Sequence, residues 1–93
     1  MSQLLRISEG ASIAIHAMIL LAGKRGRPVT NSVIAESFRV SANHSSKIMQ
    51  RLLKAGLVKA IRGPGGGSAL GTDPGEVTLL DIYRTIDGDP SNS

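Results

Sequence analysis

The sequence predicts a mainly α-helical domain with a small β-hairpin, arranged as a winged helix-turn-helix. Three observations point there. Two short helix-length segments, each opened by a hydroxyl residue suited to capping, meet at a tight turn at Arg39-Val40. The second segment has an apolar face and an opposite face without acids. Two short strand-like stretches follow at once, joined by the basic glycine loop Arg62-Gly63-Pro64-Gly65-Gly66-Gly67.

Residues 8–23 read as a helix, with Ser8 as N-cap, Glu9 in the first turn where negative charge is favoured, and Gly23 at its stop. Ile13, Ile15, Met18, Ile19, Leu20 and Leu21 go right round it, and a helix apolar on every side needs cover on every side. A second subunit, or chain beyond this sequence, is expected over part of it. His16 is a lone histidine here, read as a packed or half-exposed side chain rather than a ligand.

Residues 24–27 make a basic turn, and Thr30 opens a short helix reaching about Phe38. Ser41 or Asn43 caps the next helix, which runs to about Ala55 with Gly56 as its stop. Ile48, Met49, Leu52 and Leu53 are its expected inward face. Asn43, Lys47, Gln50, Arg51 and Lys54 fall at i, i+4, i+7, i+8 and i+11 on the outward face. His44, Ser45 and Ser46 stand at its N-terminal end, the end that reaches base edges in the major groove in helix-turn-helix units.

Residues 57–62 and 68–70 read as paired strands around the glycine turn. Glycines at the tip allow positive φ and let the main chain come close to a phosphate or a groove floor. Arg62, at the base of the turn, is placed to enter a minor groove, where negative potential is focused. The loop is not a nucleotide cradle: no Gly-Lys-Ser/Thr follows it, and a strand rather than a helix comes next. Thr72-Asp73-Pro74-Gly75 is a turn. Thr78 opens a last helix, with Asp81 completing a capping box and Leu79, Ile82, Tyr83 and Ile86 on one face. The expected organisation is one domain over residues 1–88, with 89–93 a frayed tail or truncation point.

Composition narrows the function. The 93-residue chain has no Cys, which excludes disulfides and thiolate metal or cluster sites within it and fits a reducing cytoplasm. The apolar run at residues 13–22 is too short to span a bilayer, and the N-terminus lacks the pattern of a secretion signal. The net charge of +4 is unevenly spread: residues 1–70 carry +8 and residues 71–93 carry −4. A basic body with an acidic end points to a polyanion partner for the body.

Three stretches, ISEGASIAIHAMILLA at residues 7–22, AGLVKAIRGPGGGSAL at 55–70 and EVTLLDIYRTIDG at 76–88, resemble the Rrf2 family of bacterial winged-helix regulators. The resemblance covers nearly the whole chain, and its middle stretch is the most specific. It implies a dimeric, cytoplasmic protein that binds double-stranded DNA and regulates transcription, usually as a repressor. Carried over by position, recognition-helix contacts fall on Ser41, Asn43, His44, Ser45, Ser46 and Lys47; Arg51, on the basic outward face, is expected from its charge to add phosphate affinity. Wing contacts fall on Arg62, Gly63, Gly65, Gly66 and Gly67, and a phosphate contact on Thr30. The sequence departs from the family at Ser68, where an aromatic is common, and at Ser46, where some members read DNA with Glu. It also departs at Ser12, where one member supplies an Asp ligand. No cofactor is expected in this chain; an iron–sulfur cluster requires cysteines after residue 93. The small-molecule effector is not legible.

Two other classes fit the residues less well. A winged helix that binds a protein instead of DNA would carry an apolar patch on its recognition face, and the Asn43/Lys47/Arg51 face has none. An enzyme would bring an acid pair, a nucleophile with its base, or metal-ligand spacing, and none stands out.

Overall fold

A computed structural model describes residues 7–88; the expectations for the tail at 89–93 lie outside the described residues. Four α-helices and one hairpin follow in the order α1 (Glu9–Gly23), α2 (Asn31–Phe38), α3 (Ala42–Lys54), β1 (Val58–Ile61), β2 (Gly67–Leu70) and α4 (Leu79–Asp87), with a 3-10 turn at Pro74–Glu76 before α4.

Each helix start is fixed by a side-chain oxygen that takes a backbone amide otherwise without a partner. Ser8 accepts from Ala11 N, Thr30 from Val33 N, Ser41 from His44 N and Thr78 from Asp81 N. Ser41, not Asn43, is therefore the cap of α3. At α4 the box is reciprocal, since Asp81 Oδ2 accepts from the Thr78 amide at 2.9 Å.

The helix ends are as specific. Gly56, at φ 82°, closes α3 with two bonds, Gly56 N to Leu53 O and Leu57 N to Leu52 O, both at 3.0 Å. The end of α2 makes the equivalent pair, Arg39 N to Glu36 O and Val40 N to Ala35 O, but the left-handed residue is Arg39 at φ 57°. The α2–α3 turn is thus formed without glycine. α1 ends at Gly23 as expected, with Lys24 as its cap, and the turn after it is made by Arg25 and Gly26, at φ 53° and 89°.

The core is aliphatic. Ile13, Met18 and Leu21 of α1 pack with Ile34 of α2, Ile48, Met49 and Leu52 of α3, Val58 of β1, and Ile82 and Ile86 of α4. Gly10 lies where Ile48 and Ile86 meet: a Cβ there would stand 3.1 Å from one side chain and 3.3 Å from the other. This close approach brings the start of α1 against α3 and α4. The expected inward face of α3 needs one correction. Leu53 is 44% exposed, because it lies one residue, about 100° of helix, beyond Leu52, which is completely buried. On α1, Ile15 and Leu20 are half-buried, so of the six large apolar side chains expected to need cover only Ile19, at 63%, stands exposed.

The hairpin pairs Val58 with Leu70 and Ile61 with Gly67. Both strand bounds differ slightly from expectation: Arg62 falls just past β1, and β2 begins at Gly67. A third segment, not expected from the sequence, joins this sheet. Val29 exchanges two bonds of 2.8 Å with Ser68, so the link between α1 and α2 is stitched to the return strand.

Candidate nucleic-acid interface

The outward face of α3 is open. Asn43, Lys47, Gln50 and Lys54 are exposed, and His44 and Ser46 are half-buried on its flanks. Gln50 Nε2 donates to Ser46 Oγ at 3.3 Å, one turn back. No Asp or Glu occurs in α3, so its surface potential is set by Lys47, Arg51 and Lys54. The Ser41 side chain is exposed but engaged as the cap.

Ser45 must be removed from the DNA-reading set. It is completely buried, and its hydroxyl donates to Asn31 Oδ1 at 2.7 Å, with Ala42 O at 3.2 Å. At 100° per residue it falls on the Ile48/Met49/Leu52 side of α3. Its work is structural: Asn31 Nδ2 in turn donates to Ala42 O at 2.9 Å, so the first residue of α2 clamps the first turn of α3. Sequence reasoning missed Asn31 altogether. The available signal was a polar amide directly after a cap, at the position facing the next helix.

Arg51 also departs from expectation. It is exposed at the edge of the outward face, beside Lys47, Gln50 and Lys54, but its Nη1 donates to the Ile86 carbonyl oxygen at 2.6 Å, at the end of α4.

The wing tip is exposed at Arg62, Gly63, Pro64 and Gly65, and half-buried at Gly66 and Gly67. Its glycines divide into two kinds. Gly63 and Gly65 take positive φ, 96° and 75°, with open space where a side chain would be. Gly66 and Gly67 lie against backbone: a Cβ on Gly66 would collide with Ile61 O and stand 2.8 Å from Gly63 O, and one on Gly67 would collide with Val29 O and stand 2.9 Å from Thr30 N. These last two are demanded by the fold of the wing itself.

A cleft runs between the wing and the turn after α1, lined by Lys24, Arg27, Thr30, Gly65 and Gly66. Thr30 is exposed at the N-terminus of α2, where unpaired amides and the helix dipole favour an anion. The wing and the start of α3 therefore converge on Thr30-Asn31: Thr30 borders the wing cleft, and Asn31 holds the first turn of α3.

On another side, Ile15, Ile19, Leu70, Val77 and Leu79 line an apolar groove of about 190 Å³. Ile19 and Leu79, at 63% and 64%, are its most exposed members, and Leu80 beyond it is 44% exposed.

Fold and surface together define a winged-helix protein with a polar-basic recognition helix. The chain belongs to the Rrf2 family, whose model, described as an iron-dependent transcriptional regulator, matches residues 7–92. It is 36% identical over 85 residues to the HTH-type transcriptional regulator CymR of Bacillus subtilis, covering 90% of this chain and 62% of that one. It is 33% identical over 86 residues to NsrR of the same organism, covering 91% and 59%. The solved structure of B. subtilis CymR, the global cysteine regulator, superposes with a TM-score of 0.84 at 36% identity, covering 92% of this chain and 67% of that one. IscR of T. potens superposes at 0.79 with 33% identity, covering 91% and 63%. The chain thus spans about three fifths of the length of these curated relatives. They and the family are transcriptional regulators, not enzymes.

The described residues do not make an iron site. The chain has no cysteine, and the described residues hold no group of three His, Cys, Asp or Glu able to hold a metal ion. His16 Nδ1 lies 2.7 Å from Ser12 O, and the ring stands beside Phe38, as a packed surface histidine would.

Proposed function

We propose that this chain is a cytoplasmic, sequence-specific DNA-binding regulator that represses transcription by occupying promoter DNA. Its recognition helix α3 enters the major groove and its wing the adjacent minor groove. The observation that carries this is the convergence of the start of α3 and the wing on Thr30-Asn31, with exposed cations along both.

Asn43, His44, Ser46 and Lys47 read base edges, Asn43 and Lys47 having the donors and acceptors for adenine and guanine. Lys24, Arg27, Lys54 and Thr30 contact phosphates, and Arg62 enters the minor groove. Two copies bind together, through the apolar groove beside Ile19 and Leu79, so that two recognition helices meet successive turns of a palindromic site. Family membership and the exposure of that groove support the pairing.

The test is enrichment of duplexes from a random pool, followed by affinity measurement over a range of salt. A palindromic consensus and a steep fall of affinity with salt are expected, because several phosphates are neutralised. Failure to enrich any sequence, or a flat salt response, would overturn the reading.

A further inference from the structure

Among the described residues, Arg51 is the one cation of the outward face with a hydrogen-bond partner. It lies on the flank of α3 nearest α4, and its Nη1 reaches Ile86 O at 2.6 Å. Ile86 is in the last turn of α4, where carbonyls lack helical partners and the dipole end is negative. A guanidinium satisfies both conditions there. The next residue, Asp87, accepts a bond of 2.7 Å from the hydroxyl of Ser8, the cap of α1. Gly88 follows at φ 81°, its amide bonded to Arg84 O at 2.9 Å. The end of α4 is therefore gripped from the recognition helix and from the first helix together.

We propose that Arg51 is a positioning residue for DNA recognition: it braces α3 against the end of α4, so the conformation at residues 86–88 sets the pose of Asn43, Ser46 and Lys47 in the groove. This rests on the DNA-binding reading above. Arg51 acts on the duplex through the helix it steadies, and its hydrogen bond links a change at the end of α4 to the base-reading face.

The test uses the 93-residue chain, a duplex it enriches from a random pool, and a scrambled duplex of the same composition. Arg51→Ala is expected to weaken the enriched duplex about tenfold more than the scrambled one. The slope of log affinity against log salt should stay at its wild-type value, and the amide resonances of Ile86 and Gly88 should shift without DNA present. Arg51→Lys keeps the charge and loses the planar fork, so it should fail in the same way, and it serves where Arg51→Ala does not fold. Equal weakening of both duplexes with a slope smaller by about 1, restored by Lys, identifies a phosphate contact and overturns the proposal. Unchanged selectivity in both variants overturns it as well. If the wild type enriches no duplex, it is the DNA-binding reading that fails.

Discussion

The Ser45 hydroxyl donates to Asn31 Oδ1 at 2.7 Å, a directional contact between the two helices whose angle defines the unit. Ser45 is the only polar residue among the buried ones described, and the pair closes through Asn31 Nδ2 and Ala42 O. Apolar packing restricts the crossing angle to a range of about ±15–20°, and directional bonds at the first turn narrow it further.

Ser45→Ala removes the donor and leaves the Asn31 carbonyl oxygen in a partly buried site. A loss of roughly 1–3 kcal/mol in unfolding free energy is expected, the cost of an unsatisfied group. Urea denaturation measures it. A double-mutant cycle with Asn31→Ala should give a coupling above about 0.5 kcal/mol; additive losses would mean the two side chains act separately.

That clamp shows where reading the sequence stops. Caps and apolar periodicity are local, so Thr30, the Thr78/Asp81 box, the Gly56 stop and the hairpin were all legible from neighbouring residues. Ser45 and Arg51 were not. Each lies at the border of the polar face, and its role depends on a partner 14 or 35 residues away. At such a border a small hydroxyl suits a solvated flank as well as a core position, and only the neighbouring helix decides between them. Val29 pairing with Ser68 is hidden for the same reason, since one bridge leaves no alternating pattern.

The wing makes a sharper prediction, because its glycines are not equivalent. Gly65→Ala meets open space and only the cost of positive φ, about 1 kcal/mol. Gly66→Ala and Gly67→Ala drive a methyl into Ile61 O and Val29 O, which are backbone and cannot rotate away. Losses of at least about 2 kcal/mol are expected for these two. Thermal unfolding of the three variants should rank Gly65→Ala nearest wild type; a reversed order would show that the wing packs differently.

Arg62 follows β1 and is exposed, so its replacement should spare the fold. Arg62→Ala is expected to keep the wild-type unfolding midpoint while weakening DNA binding by roughly 1–3 kcal/mol. The salt slope should drop by about 1, as one cation leaves the interface. Fluorescence anisotropy on a labelled duplex at several salt concentrations gives both values. Wild-type affinity in this variant would take the wing out of the mechanism.

The apolar groove gives the last prediction. Ile19 and Leu79 are each more than half exposed although both are large and aliphatic, and the groove they share lies between α1 and α4. In a monomer these side chains stay in water; in a pair they bury one another, at roughly 1.5–3 kcal/mol for each side chain removed from solvent. Ile19→Asp places a charge in that contact without touching the core, since position 19 already faces solvent. Sedimentation equilibrium should find the wild type self-associating at micromolar concentration and Ile19→Asp monomeric. On a palindromic duplex the variant should lose affinity, while on a single half-site it should match the wild type, because the recognition surface is intact. A wild type that stays monomeric at the highest soluble concentration would mean that this face does not pair two copies of the chain.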